Sequence, residues 1–483
     1  MRAVGGMLTL MDESALRNVA MHRREFLTTL AAIGVTSRGM TPSARGWQAG
    51  VASIDITPER SLWMAGFAAR TQPSQGVAMP LHAKALAFKS GDQPTAVLVT
   101  ADLLGVTARM TDRVASLVQR RHRLRRRDLL FNASHTHCGP VVDEQLSVAY
   151  GLTPAQLADI RTYTTQLEGK LAAVIADAVS RLGPAQLSYA RDEAGFAANR
   201  RVAFVPLGPV DHTVHVLRVD GANGSPLAVV FGYACHNTTL PPTIVQYHGD
   251  YAGVAQATLE QRHPGATAMF VAGCGADANP MPRGTVELVE AHGTALAEAV
   301  DRGLKRTTPV AVSLRSAYGT VDLPFAGEAA RERWRSQLKI DAVYLERHAA
   351  VMKAYMDREG RLPTAQRDPV QVWHFGPPSL ALRGSFGETG SGSGKTGFTL
   401  VALGGEVVVD YALRLAREYP ERQLWVAGYS NDVFGYVPSL RVLREGGYEG
   451  GDAMIYYARP GPFTETVEEL IIGKVHQLMG GRS

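Results

Sequence analysis

Four short apolar runs, Ala96 to Ala101, Leu129 to Ser134, Leu227 to Cys235 and Ala266 to Ala272, each end at polar or glycine-rich residues. Runs of that length, bounded by turn residues and separated by helical patterns, read as buried strands of a layered α/β domain. Two further strands are expected earlier, at Gly50 to Pro58 and His82 to Phe88, with a Gly/Gln/Pro-rich loop reaching Pro80 between them. The expected fold class is therefore α/β, with layered mixed sheets flanked by helices in one large domain.

Helix signals fill the intervals. Thr153-Pro154 supplies a capping hydroxyl and a proline for the first turn, and Leu167, Leu171, Val174, Ile175 and Leu182 continue an apolar stripe. Tyr251 to Arg262 and Thr285 to Leu304 read as two more helices. Glu328 to Arg358 is a long charged helical segment with a break expected near Asp341, a helical insertion over about 328–363. From about residue 370 the chain is expected to return to strands and loops.

With 483 residues, 45% hydrophobic and 20% charged, the chain can bury a large core. Its net charge of +5 owes much to Arg120, Arg121, Arg123, Arg125, Arg126 and Arg127 at a helix-to-strand junction. No aromatic platform accompanies them, so they read as a solvated helix end and nucleic acid is not an expected partner. Residues 1–46 are expected to form an export signal and linker. Arg23-Arg24-Glu25-Phe26-Leu27 precedes a modest apolar stretch in the manner of a bacterial twin-arginine leader, with Met21 an alternative start. The expected location is periplasmic or extracellular. No stretch reaches the roughly 18 apolar residues of a membrane span. The three cysteines, Cys138, Cys235 and Cys274, are too few for a disulfide scaffold and read as buried packing residues.

The run Leu129 to Ser134 leads into Asn132-Ala133-Ser134-His135-Thr136-His137-Cys138-Gly139-Pro140. On a continuing strand, residues i and i+2 share a face, so both imidazoles are expected to point into one site at the strand's exposed end. His236 follows the run Leu227 to Cys235 in the same way. Two strands that both end in histidine suggest a shared metal site, for which neutral imidazole is a good zinc ligand. His248-Gly249-Asp250 stands ahead of a helix, where a third ligand and a helix cap are both open readings.

Together these motifs resemble the neutral ceramidase family. The likeness runs from Ile54-Asp55-Ile56-Thr57-Pro58 through Asn132 to Pro140, Asn199-Arg200, His236 and Gly249-Asp250. It continues through Phe270 to Pro280, Leu403-Gly404-Gly405-Glu406, Ala427 to Asn431, Tyr436-Val437-Pro438 and Gly447-Tyr448-Glu449-Gly450. The resemblance implies one zinc ion per chain, held by His135, His236, Glu406 and Tyr436. It implies polarising and proton-handling roles for His137, Arg200 and Tyr448, with Arg200 and Tyr448 steadying an oxyanion while zinc-activated water attacks an amide carbonyl. For Glu406 and the two tyrosines the residues alone say only strand-end carboxylate and half-buried aromatics. This chain carries Asn279 where the family has a substrate-facing serine, and it ends without the family's immunoglobulin-like domain. Both departures weigh against ceramide itself and leave a small-molecule, lipid or glycan-type substrate.

Gly387 to Thr396 looks like a phosphate-binding loop, but Thr389 replaces a required glycine and an apolar strand pattern follows, so a hairpin loop is expected. Two rivals to a monozinc hydrolase remain. A binuclear amidohydrolase needs an eight-unit barrel, and a non-catalytic binding relative is suggested by the missing serine.

Overall fold

The computed structural model describes residues 46–376 and 396–480. The twin-arginine-like leader and most of the Gly387 to Thr396 loop lie outside the described residues. Ala44–Ser483 forms one compact unit.

A nine-stranded mixed sheet begins at the edge strand Leu129–Ala133 and runs through Ala96–Ala101, His82–Ser90, Trp47–Asp55, Gly183–Glu193, Thr213–Gly221 and Pro226–Tyr233 to Thr267–Ala272. Its two outermost pairings are parallel and the inner ones antiparallel. The ninth strand is the short Thr308–Pro309, paired with Gly183–Glu193. A second sheet carries Leu314–Pro324, Ala365–Phe375, Phe398–Leu403 and Leu424–Ala427.

Side-chain alternation stacks these elements into layers. Leu98, Leu130, Leu217, Val230 and Met269 of the first sheet pack against Trp373, Phe375, Phe398, Leu400 and Trp425 of the second. The outer face of the first sheet buries Val97 and Val99 under helices Ala108–His122 and Pro154–Ser180, through Val114, Val118, Leu171 and Ile175. Farther along, Phe231 and Phe270 are covered by helices Asp250–Arg262 and Val286–Leu304. The outer face of the second sheet, Val370, Val372 and Val401, meets Ile471 and Val475 of helix Val467–Leu478. The layering is helix, sheet, sheet, helix, as the apolar runs predicted, and no eight-unit barrel forms among the described residues.

The capping signals locate helix starts closely. The Thr153 hydroxyl accepts from Gln156 N and the Gln156 side chain accepts from Thr153 N, a reciprocal cap with Pro154 at the first turn. Such a cap is worth about 1 kcal/mol. The first strand runs Trp47–Asp55 rather than Gly50 to Pro58, because pairing with His82–Ser90 holds its start. The charged insertion is two helices, Glu328–Gln337 and Ala342–Glu359, interrupted around Asp341 as expected. Beyond residue 370 the expected strands form, including Phe398–Leu403 and Leu424–Ala427, but Asp410–Glu418 and Val467–Leu478 are helices the sequence reading did not expect. The arginine run is a helix end followed by a 3-10 turn, where Arg125 pairs with Asp128 at 2.8 Å and Arg126 with Asp112 at 3.2 Å.

Candidate metal centre

The two edges of the first sheet approach each other through one side chain. Asn132 Oδ1 accepts from Ala272 N at 2.8 Å, and its Nδ2 donates to Gly428 O at 2.9 Å and Ala272 O at 3.4 Å. The carboxamide thus pairs as a backbone amide would. It brings the end of Leu129–Ala133 beside the end of Thr267–Ala272, and a bridge between Thr136 and Asn237 extends the junction.

His135 and His137 do not share a strand face. The strand stops at Ala133, and His135 takes a left-handed backbone, φ 62°. A non-glycine residue there carries roughly 1–3 kcal/mol of strain, offset by bonds from His135 N to Leu103 O (2.9 Å) and between Nδ1 and Leu104 O (2.7 Å). The kink turns the imidazoles toward each other, with their Nε2 atoms 3.3 Å apart. Gly66, at φ 100°, leaves room for His137, because a Cβ there would lie 2.4 Å from His137 Nδ1.

His236 reaches the same point from the other edge, with Nδ1 bonded to Gly275 O at 2.9 Å. Glu406 and Tyr436 are register partners in a small parallel ladder. Glu406 Oε2 stands 3.0 Å from His135 Nε2 and 3.3 Å from His236 Nε2, and the Tyr436 hydroxyl stands 3.2 Å from His236 Nε2. Ligand atoms about 2.0–2.1 Å from a tetrahedral zinc stand roughly 3.3 Å from one another, so these spacings fit one ion.

The donor chemistry fits as well. The carbonyls of Leu104 and Gly275 place the protons of His135 and His236 on Nδ1, which leaves both Nε2 lone pairs facing Glu406. No proton is then available to Glu406 Oε2, which is buried without a hydrogen-bond partner. Burial pushes the Glu406 carboxyl up, but His135 and His236 outweigh it and hold the group well below the usual carboxylate range. Burial, then Arg200, lowers His236 to about 4. Burial, then His135 and His236, lowers His137 well below an ordinary histidine. Only protonated imidazoles would supply that lowering, so the charge of the carboxylate is met either by a histidine proton or by a cation held on the Nε2 lone pairs. Nearby, Arg200 and Arg201 are matched by Glu449 and Glu445. Glu406 has no arginine or lysine partner among the described residues, and with both imidazoles neutral the buried carboxylate calls for a cation. His135, His137 and His236 also form a group whose ring nitrogens lie within 4.8 Å of one another.

Arg200 sits beside the donors. Its Nε donates to Glu449 Oε1 at 2.6 Å, Nη1 to Asn279 Oδ1 at 3.4 Å and Nη2 to the Tyr436 hydroxyl at 2.9 Å. Tyr448 stands at the mouth, 42% exposed, with its ring 5.2 Å from that of Tyr436. All eight residues singled out from the sequence therefore lie in or beside one centre. His248 takes the capping side of its open reading, as its Nδ1 accepts from Asp250 N at 2.9 Å. The three cysteines are free and buried.

Sequence reading missed several neighbours. Tyr457 donates to Glu406 Oε1. Tyr429 lies against His135 with ring centroids 4.3 Å apart, and Phe67 packs on His137 at 4.7 Å. Glu449 and Tyr429 were visible only as parts of the Gly447 to Gly450 and Ala427 to Asn431 motifs, and no local pattern marks Tyr457 or Phe67.

Residues 47–280 match the family model described as neutral/alkaline non-lysosomal ceramidase, N-terminal. Glu406, Tyr436 and Tyr448 lie beyond that span. The crystal structure of neutral ceramidase from Pseudomonas aeruginosa aligns with 90% of this chain and 75% of its own, at 17% identity and a TM-score of 0.67. A ceramidase complexed with C2 aligns with 90% of this chain and 76% of its own, at the same identity and TM-score. No curated protein matches the chain in sequence. No described helix is long and apolar enough to cross a membrane.

Proposed function

We propose, from the match of residues 47–280 to the neutral/alkaline non-lysosomal ceramidase N-terminal model, that the chain is a hydrolase of that family and uses one zinc ion to cleave an amide (N-acyl) bond. The proposed ligands are His135, His236, Glu406 and Tyr436. The observation that carries the reading is the unpartnered Glu406 Oε2 facing two histidines whose protons are held elsewhere by carbonyls. A zinc ion there supplies a Lewis acid and lowers the pKa of a water to about 7.

The chain's own groups divide the remaining work. Burial lowers His137 well below an ordinary histidine, and neither of its ring nitrogens is pinned by a carbonyl, unlike those of His135 and His236. It is therefore suited to take the proton of the attacking water and return one to the leaving amine. Arg200 has each arm occupied by a protein partner, so its proposed role shifts from the substrate oxyanion to the Tyr436 oxygen. The Tyr448 hydroxyl has no partner among the described residues and is suited to donate to the developing oxyanion. Asn279, tied to Arg200, is placed to bond substrate through its amide. A lipid-like N-acyl substrate follows from the family, and export by the Arg23-Arg24 leader belongs to the same proposal.

The test is a panel of N-acyl amides, esters and glycosides incubated with zinc-loaded protein, with the released amine, alcohol or sugar measured. Amine release that depends on zinc and is lost in His137→Ala supports the reading. Turnover confined to esters or glycosides removes the amide assignment, and no turnover of any class favours a binding protein.

A further inference from the structure

The carboxylate of Glu406 has two oxygens, and only one faces the histidines. Oε1 accepts the hydroxyl of Tyr457, its sole hydrogen-bond donor among the described residues, and Oε2 is left toward His135 and His236. An unrestrained carboxylate exchanges its oxygens by rotating about its last torsion. A fixed donor on one oxygen removes that freedom. We propose that Tyr457 is a positioning residue for the metal centre, holding Glu406 so that one defined oxygen is presented to the ion. The inference rests on the reading of Glu406 as a ligand.

The backbone around Tyr457 is well anchored for such a task. Tyr457 N donates to Ala453 O, Ala458 takes a left-handed backbone at φ 53°, and Arg459 N donates to Met454 O at 2.9 Å. The Arg459 side chain then ties the segment to Phe434 O at 2.9 Å, beside the strand that carries Tyr436. Gly435 lies beside the Tyr457 ring, where an added Cβ would make ordinary contact at 3.5 Å. On its far side Tyr457 borders a cavity of about 320 Å³ lined also by Thr107, Asp432, Phe434 and Arg459. Tyr457 lines that cavity and Glu406 does not. Outer partners of this kind contribute 10- to 100-fold in metal affinity.

The experiment measures zinc affinity by chelator competition for the full chain and for Tyr457→Phe, Glu406→Gln and the double variant. Tyr457→Phe is expected to bind zinc about 10- to 100-fold more weakly, with the metal-free unfolding midpoint unchanged. Because Tyr457 acts through Glu406, the double variant is expected to bind no more weakly than Glu406→Gln alone. Wild-type affinity in Tyr457→Phe, with Glu406→Gln weakened, overturns the positioning role and leaves the ligand reading intact. Wild-type affinity in Glu406→Gln removes the ligand reading itself. If Tyr457→Phe also unfolds earlier, the cycle still decides, since additive losses in the double variant mark a merely structural residue.

Discussion

Arg200 and Tyr436 meet at 2.9 Å, with Nη2 of the guanidinium donating to the phenol oxygen while its Nε donates to Glu449 at 2.6 Å. Burial pushes the Tyr436 phenol up and Arg200 pulls it back. The planar fork of arginine is what lets one side chain face Glu449, Asn279 and Tyr436 together. Lysine has the charge without that geometry. Arg200→Lys is expected to lower kcat/KM for the amide substrate by about 100-fold, on the order of the loss of one preorganised electrostatic contact. Steady-state kinetics on released amine check this, and an unaltered kcat/KM contradicts the assignment.

The approach of His137 to His135 depends on Gly66. A Cβ at that position would press on the His137 ring at 2.4 Å, and the backbone sits at φ 100°. Gly66→Ala is expected to destabilise the fold by roughly 1–3 kcal/mol and to reduce turnover through displacement of His137. Urea unfolding together with kinetics tests both halves of the expectation.

Closure of the sheet edges rests on Asn132, whose amide serves Ala272, Gly428 and Ser430 in a fully buried setting. Asn132→Leu keeps the branched shape, in a slightly larger side chain, and removes every side-chain hydrogen bond. Each orphaned buried group costs about 1–3 kcal/mol, so a loss of several kcal/mol is expected in equilibrium unfolding. A near-neutral Asn132→Leu would show that the edges are held by packing alone.

Acid sensitivity should arise partly away from the metal. His215 is stacked on Trp425 at 5.0 Å and accepts the Tyr189 hydroxyl at 2.7 Å, and burial lowers it to about 4. A histidine lowered from 6.5 in the unfolded chain to about 4 when folded favours the folded state above pH 6.5. That contribution fades as pH falls from 6.5 toward 4, and the full shift corresponds to about 3 kcal/mol. His215→Phe is expected to flatten the stability profile across that window while lowering stability at pH 7, because Tyr189 loses its acceptor. Thermal or denaturant unfolding at several pH values reads the slope, and a profile as steep as wild type's would assign the acid sensitivity elsewhere.

Much of the architecture was legible because it is written locally. Thr153-Pro154 and Thr285 mark helix starts through their own side chains, and the apolar runs are strands because both of their faces are buried. The geometry of His135 was not legible. Its left-handed turn is imposed by Leu103 and Leu104, which lie some thirty residues earlier in sequence, and strand alternation misplaces the ring. Glu406, Tyr436 and Tyr448 were visible only through the family resemblance. Tyr457 and the buried Asn132 contacts depend on partners far away in sequence, where no spacing rule reaches.

His135, His236 and Glu406 are proposed to converge on a cation. Metal analysis of purified protein tests it most directly, alongside His135→Ala and His236→Ala variants shown to be folded. About one zinc per chain is expected in the wild type, with the metal lost from both variants. Metal content near zero in the wild type, or unchanged in both variants, would contradict the claim.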